Sequence, residues 1–171
     1  MPWLFGYGSI IWRPNIKFQR KAPATLPGWR RSFCQLSVDH RGTPEAPGRV
    51  LTLREDAQAR CDGVAFEVSS SLWHETLAYY DEREKGGYRR LDVMLECGDT
   101  RIPAVTYVAP PGNPHDAGAE PLEHIVSVIR TAEGPSGTNL EYFLNLVDIL
   151  RANGIKDSYL SQVLAVFRSL D

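Results

Sequence analysis

The order of its periodicities constrains this 171-residue chain more than any other feature. Short apolar or alternating runs, punctuated by Gly and Pro, fill the first two thirds; helical spacing takes over after residue 120. Strands segregated from helices in this way point to an α+β domain. Candidate strands cover residues 3–5, 29–37, 49–53, 63–68, 89–97 and 102–109. The fifth carries the clearest signal, since Leu91, Val93, Leu95 and Cys97 alternate onto one face. About six such strands suit a small mixed β-barrel or strongly curved mixed sheet with flanking helices. One helix interrupts the strands over residues 72–85, with Ser70 or Ser71 as its cap and Gly86-Gly87 as its stop. Later helices start with Pro121 as the first helical residue, at the capping box Thr138-Asn139-Leu140-Glu141, and near Asp157. The second of these should bury Leu140, Phe143, Leu144 and Val147. Gly134-Pro135-Ser136-Gly137 breaks the chain between helices. A single domain, residues 1–171, is expected.

Composition excludes several functions. A net charge of −2 gives no general attraction to nucleic acid or to a membrane surface. No apolar run is long enough to span a bilayer, and the N-terminus lacks the basic region and cleavage site of a signal peptide. A cytoplasmic location is expected. Cys34, Cys61 and Cys97 are odd in number and widely spaced, which argues against both a disulfide framework and a zinc site. His40, His74, His115 and His124 show no metal-binding spacing, so no metal or cofactor is expected. No surplus apolar helix face is evident, which favours a monomer.

Two stretches carry candidate chemistry. In Leu4-Phe5-Gly6-Tyr7-Gly8-Ser9-Ile10-Ile11-Trp12 an apolar run enters two glycines and a serine. Glycine tolerates positive φ and close approach, so backbone N–H groups here can turn toward an anion such as a carboxylate. Ile11 stands where a dinucleotide fingerprint needs its third glycine, and Ser9 lies outside a G-x-S-x-G elbow. The second stretch runs from Tyr79 to Tyr88 and holds Asp81, Glu82 and Glu84. A carboxylate in the last helical turn meets the negative end of the macrodipole, which favours its protonated form. Burial pushes the same way, toward proton exchange near neutral pH, against the pull of Arg83, Lys85 and Arg89. Periodicity does not choose among the three acids.

Together these motifs resemble a known family. Phe5-Gly6-Tyr7-Gly8-Ser9-Ile10-Ile11-Trp12 comes first, then Asp39-His40-Arg41-Gly42 with Pro47-Gly48-Arg49-Val50. Asp81-x-Arg83-Glu84-Lys85-Gly86-Gly87-Tyr88 and Gly134-Pro135-Ser136-Gly137-x-Asn139-x-Glu141-Tyr142 follow in the order of the glutathione-specific γ-glutamylcyclotransferases, the ChaC family. Ile10 replaces an expected Leu, and Glu82 an apolar or aromatic residue. The resemblance implies the γ-glutamylcyclotransferase-like fold and release of 5-oxoproline and Cys-Gly from glutathione, without cofactor or metal. It implies Glu84 as the catalytic acid–base group. Gly6, Tyr7, Gly8, Ser9 and Ile10 would bind the γ-glutamyl group, and Tyr142 would line the pocket. Arg41 or Arg49 would either reach the glycyl carboxylate or form structural ion pairs.

Overall fold

Five strands close a barrel in the order β1-β3-β2-β4-β5. The coordinates are a computed structural model that describes residues 1–169; the last two residues of the expected domain lie outside the described residues. Strand β1 (Trp3–Gly6) is buried along its whole length, which explains an apolar run without alternation. It pairs antiparallel with the end of β3 (Gly48–Glu67), from Trp3↔Glu67 to Gly6↔Val64. Its other edge meets β5 (Thr100–Val108) in parallel at Leu4↔Val105. Strands β4 (Arg89–Cys97) and β5 form a regular hairpin that turns through Gly98, at φ 59°. Strand β2 (Arg20–Ser37) joins β4 at Thr25↔Glu96. The mixture of parallel and antiparallel pairs makes the barrel mixed, as expected.

The barrel has five strands rather than about six because two expected strands are one. Residues 49–53 and 63–68 are the apolar ends of β3, whose polar middle around Glu55, Gln58 and Arg60 is solvent-exposed or half-exposed. Strand β2 begins nine residues before the expected position 29, and Pro23, Pro27 and Gly28 lie within it. A two-residue ribbon, β6 (Glu133–Gly134) and β7 (Gly137–Thr138), forms where only a break was expected.

The chain divides into two compact units. The first comprises Met1–Arg30 and Glu55–Pro110, and carries helix α1 (Trp73–Arg83). Neither Ser70 nor Ser71 caps α1: Leu72 is the capping residue, and the Ser71 hydroxyl pairs with that of Ser69 at 2.8 Å. Leu4, Phe5, Phe66, Tyr80 and Leu95 are buried here.

The second unit comprises Arg31–Arg54 and the chain from Pro111, with helices α2 (Leu122–Thr131), α3 (Asn139–Ala152) and α4 (Ser158–Ser169). Pro121 is the N-cap of α2 rather than its first helical residue. Thr138 caps α3 by accepting from the Glu141 N–H at 3.1 Å. The capping box is only half made, because the Glu141 carboxylate pairs with Arg41 at 2.9 Å instead of turning back. Leu144, expected inside, is 48% exposed, and Leu146 is buried instead. Phe33 gathers Tyr142, Phe143 and Tyr159 around it at 5.8–6.5 Å. Fully buried Arg31 pairs with Asp157 at 2.8 Å. Among the described residues, no helix is long and apolar enough to cross a membrane.

Candidate functional site

Gly6 ends β1 because the chain doubles back over it. A Cβ there would lie 2.9 Å from Ile10 Cγ2 and 3.1 Å from Ile10 Cβ. On the other side, a Cβ on Gly63 of β3 would meet the Gly6 carbonyl oxygen at 2.4 Å and Phe5 Cζ at 2.7 Å. At Gly6 close approach, not a left-handed backbone, is thus what demands glycine; Gly8 has no positive φ either, sitting at −139°. The backbone then makes a single 3-10 turn, Ser9–Ile11, with the Ile11 N–H donating to Gly8 O at 2.9 Å. A turn of this kind leaves its first N–H groups, those of Ser9 and Ile10, without a carbonyl inside the turn. The Tyr7 hydroxyl anchors the segment by donating to the buried Tyr107 carbonyl at 2.7 Å. The Tyr7 side chain thus braces the wall of the barrel.

The three acids that periodicity could not separate have different surroundings. Asp81, 43% exposed, is paired with Arg90 and accepts from the Tyr107 hydroxyl at 2.8 Å. Those partners, Arg90 first, hold its carboxyl below the usual range. Glu82, 72% exposed, is paired with Lys85. Glu84 is only 16% exposed. Burial pushes its carboxyl above the usual range, and Arg83 opposes the rise. Glu84 is the residue just past α1 rather than a member of its last turn; its N–H donates to Tyr80 O at 2.8 Å. That hydrogen bond places the residue at the negative end of the helix.

Two residues that sequence reasoning did not single out join these parts. Arg83 holds Glu84 Oε1 at 3.4 Å from its Nε and donates to Ser9 Oγ at 3.1 Å. Tyr107 takes Tyr7 on its carbonyl and Asp81 on its hydroxyl, and its ring lies 5.6 Å from that of buried Tyr80. Adjacency to the acid was the one available signal for Arg83; β5 offered none for Tyr107. The first unit therefore brings together Gly6, Tyr7, Gly8, Ser9, Ile10 and Glu84.

Tyr142, Arg41 and Arg49 belong to the second unit. Tyr142 is buried on α3, accepting from the Leu51 N–H at 3.3 Å. Arg49 grips Glu120 through two nitrogens at 2.6 and 2.9 Å. Arg41 binds Glu141 and the Thr138 carbonyl. Both arginines form the structural ion pairs that were one of the two roles considered for them. Among the described residues, no three His, Cys, Asp or Glu side chains gather as metal ligands.

The model of the family described as ChaC-like protein matches residues 2–170. The chain is 40% identical over 156 residues to glutathione-specific gamma-glutamylcyclotransferase 1 of Danio rerio, covering 88% of this chain and 80% of that protein. It is 33% identical to the glutathione-specific gamma-glutamylcyclotransferase of Escherichia coli (strain K12), covering 98% and 73%. Among solved structures, a yeast γ-glutamyl cyclotransferase specific to glutathione superposes with a TM-score of 0.87 at 27% identity, covering 99% of this chain and 98% of that one. The family match, the relatives and the shared fold agree with the motif order, and the chain belongs to the ChaC-like protein family.

Proposed function

We propose that the chain is a glutathione-specific γ-glutamylcyclotransferase that releases 5-oxoproline and Cys-Gly. One observation carries the mechanism: of the neighbouring acids, only Glu84 is both shielded from water and tied through Arg83 to the Ser9 turn. The relatives named as glutathione-specific enzymes support the substrate.

The γ-glutamyl α-amine attacks its own γ-carbonyl carbon, forming the C–N bond of a five-membered ring. The attack is intramolecular, so holding the reactive rotamer supplies much of the acceleration. The amine arrives as an ammonium. Glu84 takes a proton from it, and the raised proton affinity of a shielded carboxyl suits that task. As the γ-carbonyl C–N bond breaks, Glu84 returns that proton to the departing cysteinyl nitrogen, and the second proton shed by the ring nitrogen ends on the same amine, so Cys-Gly leaves as an ammonium and the ring as the neutral lactam. The N–H groups of Ser9 and Ile10 face the α-carboxylate or the developing oxyanion, where fixed donors act without reorganising. Gly6 and Gly8 keep that backbone accessible. Tyr142 contributes to substrate binding, which Tyr142→Phe tests through KM.

Residues 1–171 act as one domain and as a monomer, readable by limited proteolysis and sedimentation. The thiol state of Cys34, Cys61 and Cys97 fits a reducing, cytoplasmic compartment. The deciding experiment supplies glutathione and, separately, γ-Glu-Ala, and follows 5-oxoproline and Cys-Gly. Cys-Gly from glutathione with little 5-oxoproline from γ-Glu-Ala supports the proposal. Equal turnover of both makes the chain a broader γ-glutamyl cyclotransferase, and no product from either removes the enzymatic reading.

A further inference from the structure

We infer that Arg83 is the positioning residue of this site, a clamp that fixes the Ser9 turn and the Glu84 carboxyl as one unit. The inference rests on the reading of Glu84 as the acid–base group. Each guanidinium nitrogen has a separate task. Nη2 donates to Ser9 Oγ at 3.1 Å, at the start of the turn. Nη1 donates to the Arg13 carbonyl at 2.7 Å, just beyond its end. Nε stands 3.4 Å from Glu84 Oε1. The turn is itself closed between the same two residues, by Arg13 N–H donating to Ser9 O at 2.8 Å. Arg83 therefore clamps both ends of the segment that presents the backbone donors, while touching the group that moves the proton.

Arginine suits this place because its fork is planar and rigid and its charge is permanent; a lysine has one nitrogen and cannot span three partners. The guanidinium plane is itself seated over the Tyr80 ring, with Cζ 5.4 Å from the centroid. Tyr80 is in turn held by its hydroxyl on the Pro14 carbonyl at 2.6 Å.

The charge has a second effect. Arg83 lies against Glu84 from the end of α1 with the Tyr80 phenol nearby, and the Ser9 hydroxyl oxygen and the Arg13 carbonyl of the turn are both engaged by Arg83. Lys85 is paired with Glu82, Arg90 with Asp81, and Arg89 is exposed. Arg83 is thus the cation that favours the ionised, proton-accepting form of Glu84. Without it, the acid limb of kcat/KM moves to higher pH.

The test is a pH profile of 5-oxoproline release for the wild type, Arg83→Gln, Arg83→Lys, Ser9→Ala and Arg83→Gln/Ser9→Ala, with Glu84→Gln beside them. Arg83→Gln should lose about tenfold to a hundredfold in kcat/KM at neutral pH, the range expected for charge-assisted hydrogen bonds. Its acid limb should shift to higher pH, which a merely structural role would not produce. Arg83→Lys should restore the limb but keep a raised KM. Adding Ser9→Ala to Arg83→Gln should cost little more, because both remove one contact. If Arg83→Gln does not fold, Arg83→Lys and Ser9→Ala decide by the split between limb position and KM. A wild-type limb and rate in Arg83→Gln, with Glu84→Gln inactive, overturns this inference alone. Full turnover in Glu84→Gln instead overturns the reading of the acid, and the inference with it.

Discussion

Replacing Glu84 by Gln should make the protein less active and more stable, and the stability gain should depend on pH. The substitution keeps the shape of a side chain that is 16% exposed, so packing changes little. What changes is ionisation. In the unfolded chain the carboxyl titrates near its ordinary value of 4.5; in the folded protein burial raises it. Below the unfolded value both states are protonated, and the carboxylic acid and the amide should be equally stable. As pH rises, the unfolded chain ionises first, so the wild type loses stability until pH passes the folded value. Glutamine never ionises and avoids that loss. Each pH unit between the two titrations is worth about 1.4 kcal/mol. For a chain of this size, 1 kcal/mol moves Tm by about 2–4 °C. Thermal unfolding at pH 4 and pH 8 should therefore show equal Tm at the first and a higher Tm for Glu84→Gln at the second. Turnover should fall by at least about 10²–10⁴-fold, the usual contribution of a general acid–base group. A variant that turns over normally, or one whose stability relative to the wild type does not rise with pH, would refute the reasoning.

Other sites give sharp expectations. Gly6→Ala drives a methyl into Ile10 at 2.9 Å; overpacking of this kind costs about 1–3 kcal/mol, and the displaced turn should lower kcat/KM in the soluble fraction. Tyr7→Phe removes a buried hydroxyl that donates to the Tyr107 carbonyl, at a stability cost of about 1–3 kcal/mol by denaturant titration. The hydroxyl donates to that carbonyl and can still accept, so KM for glutathione decides its second role: a value near wild type leaves Tyr7 a wall residue, and one many times higher makes it a substrate contact. Buried Asn139 accepts from the Arg49 N–H at 2.6 Å and donates to the Arg49 carbonyl at 2.9 Å. Asn139→Ala should cost about 2–5 kcal/mol, because both backbone groups lose their partner, and urea unfolding measures it.

Much of this protein is written in short stretches of its sequence. The hairpin of β4 and β5 follows from alternation at Leu91, Val93 and Leu95. The start of α3 follows from Thr138, and the turn after β1 from Gly6. Each depends on residues a few positions apart, where backbone geometry alone sets the outcome. The family motifs are legible for the same reason, and the proposal for Glu84 starts from them.

What the chain could not declare locally depends on partners far away in sequence. β3 reads as two strands because its polar middle looks like a loop; it is one strand because it pairs along the sheet. Barrel closure joins Leu4 to Val105, a pairing no local pattern encodes. Asp81, Glu82 and Glu84 are equivalent acids on paper. They separate only in three dimensions, where Arg90 takes the first, Lys85 the second, and burial raises the proton affinity of the third beside Arg83. Residue type and spacing determined which groups were available; water exclusion and charge pairing, which exist only once the chain has folded, decided how far their proton affinities part.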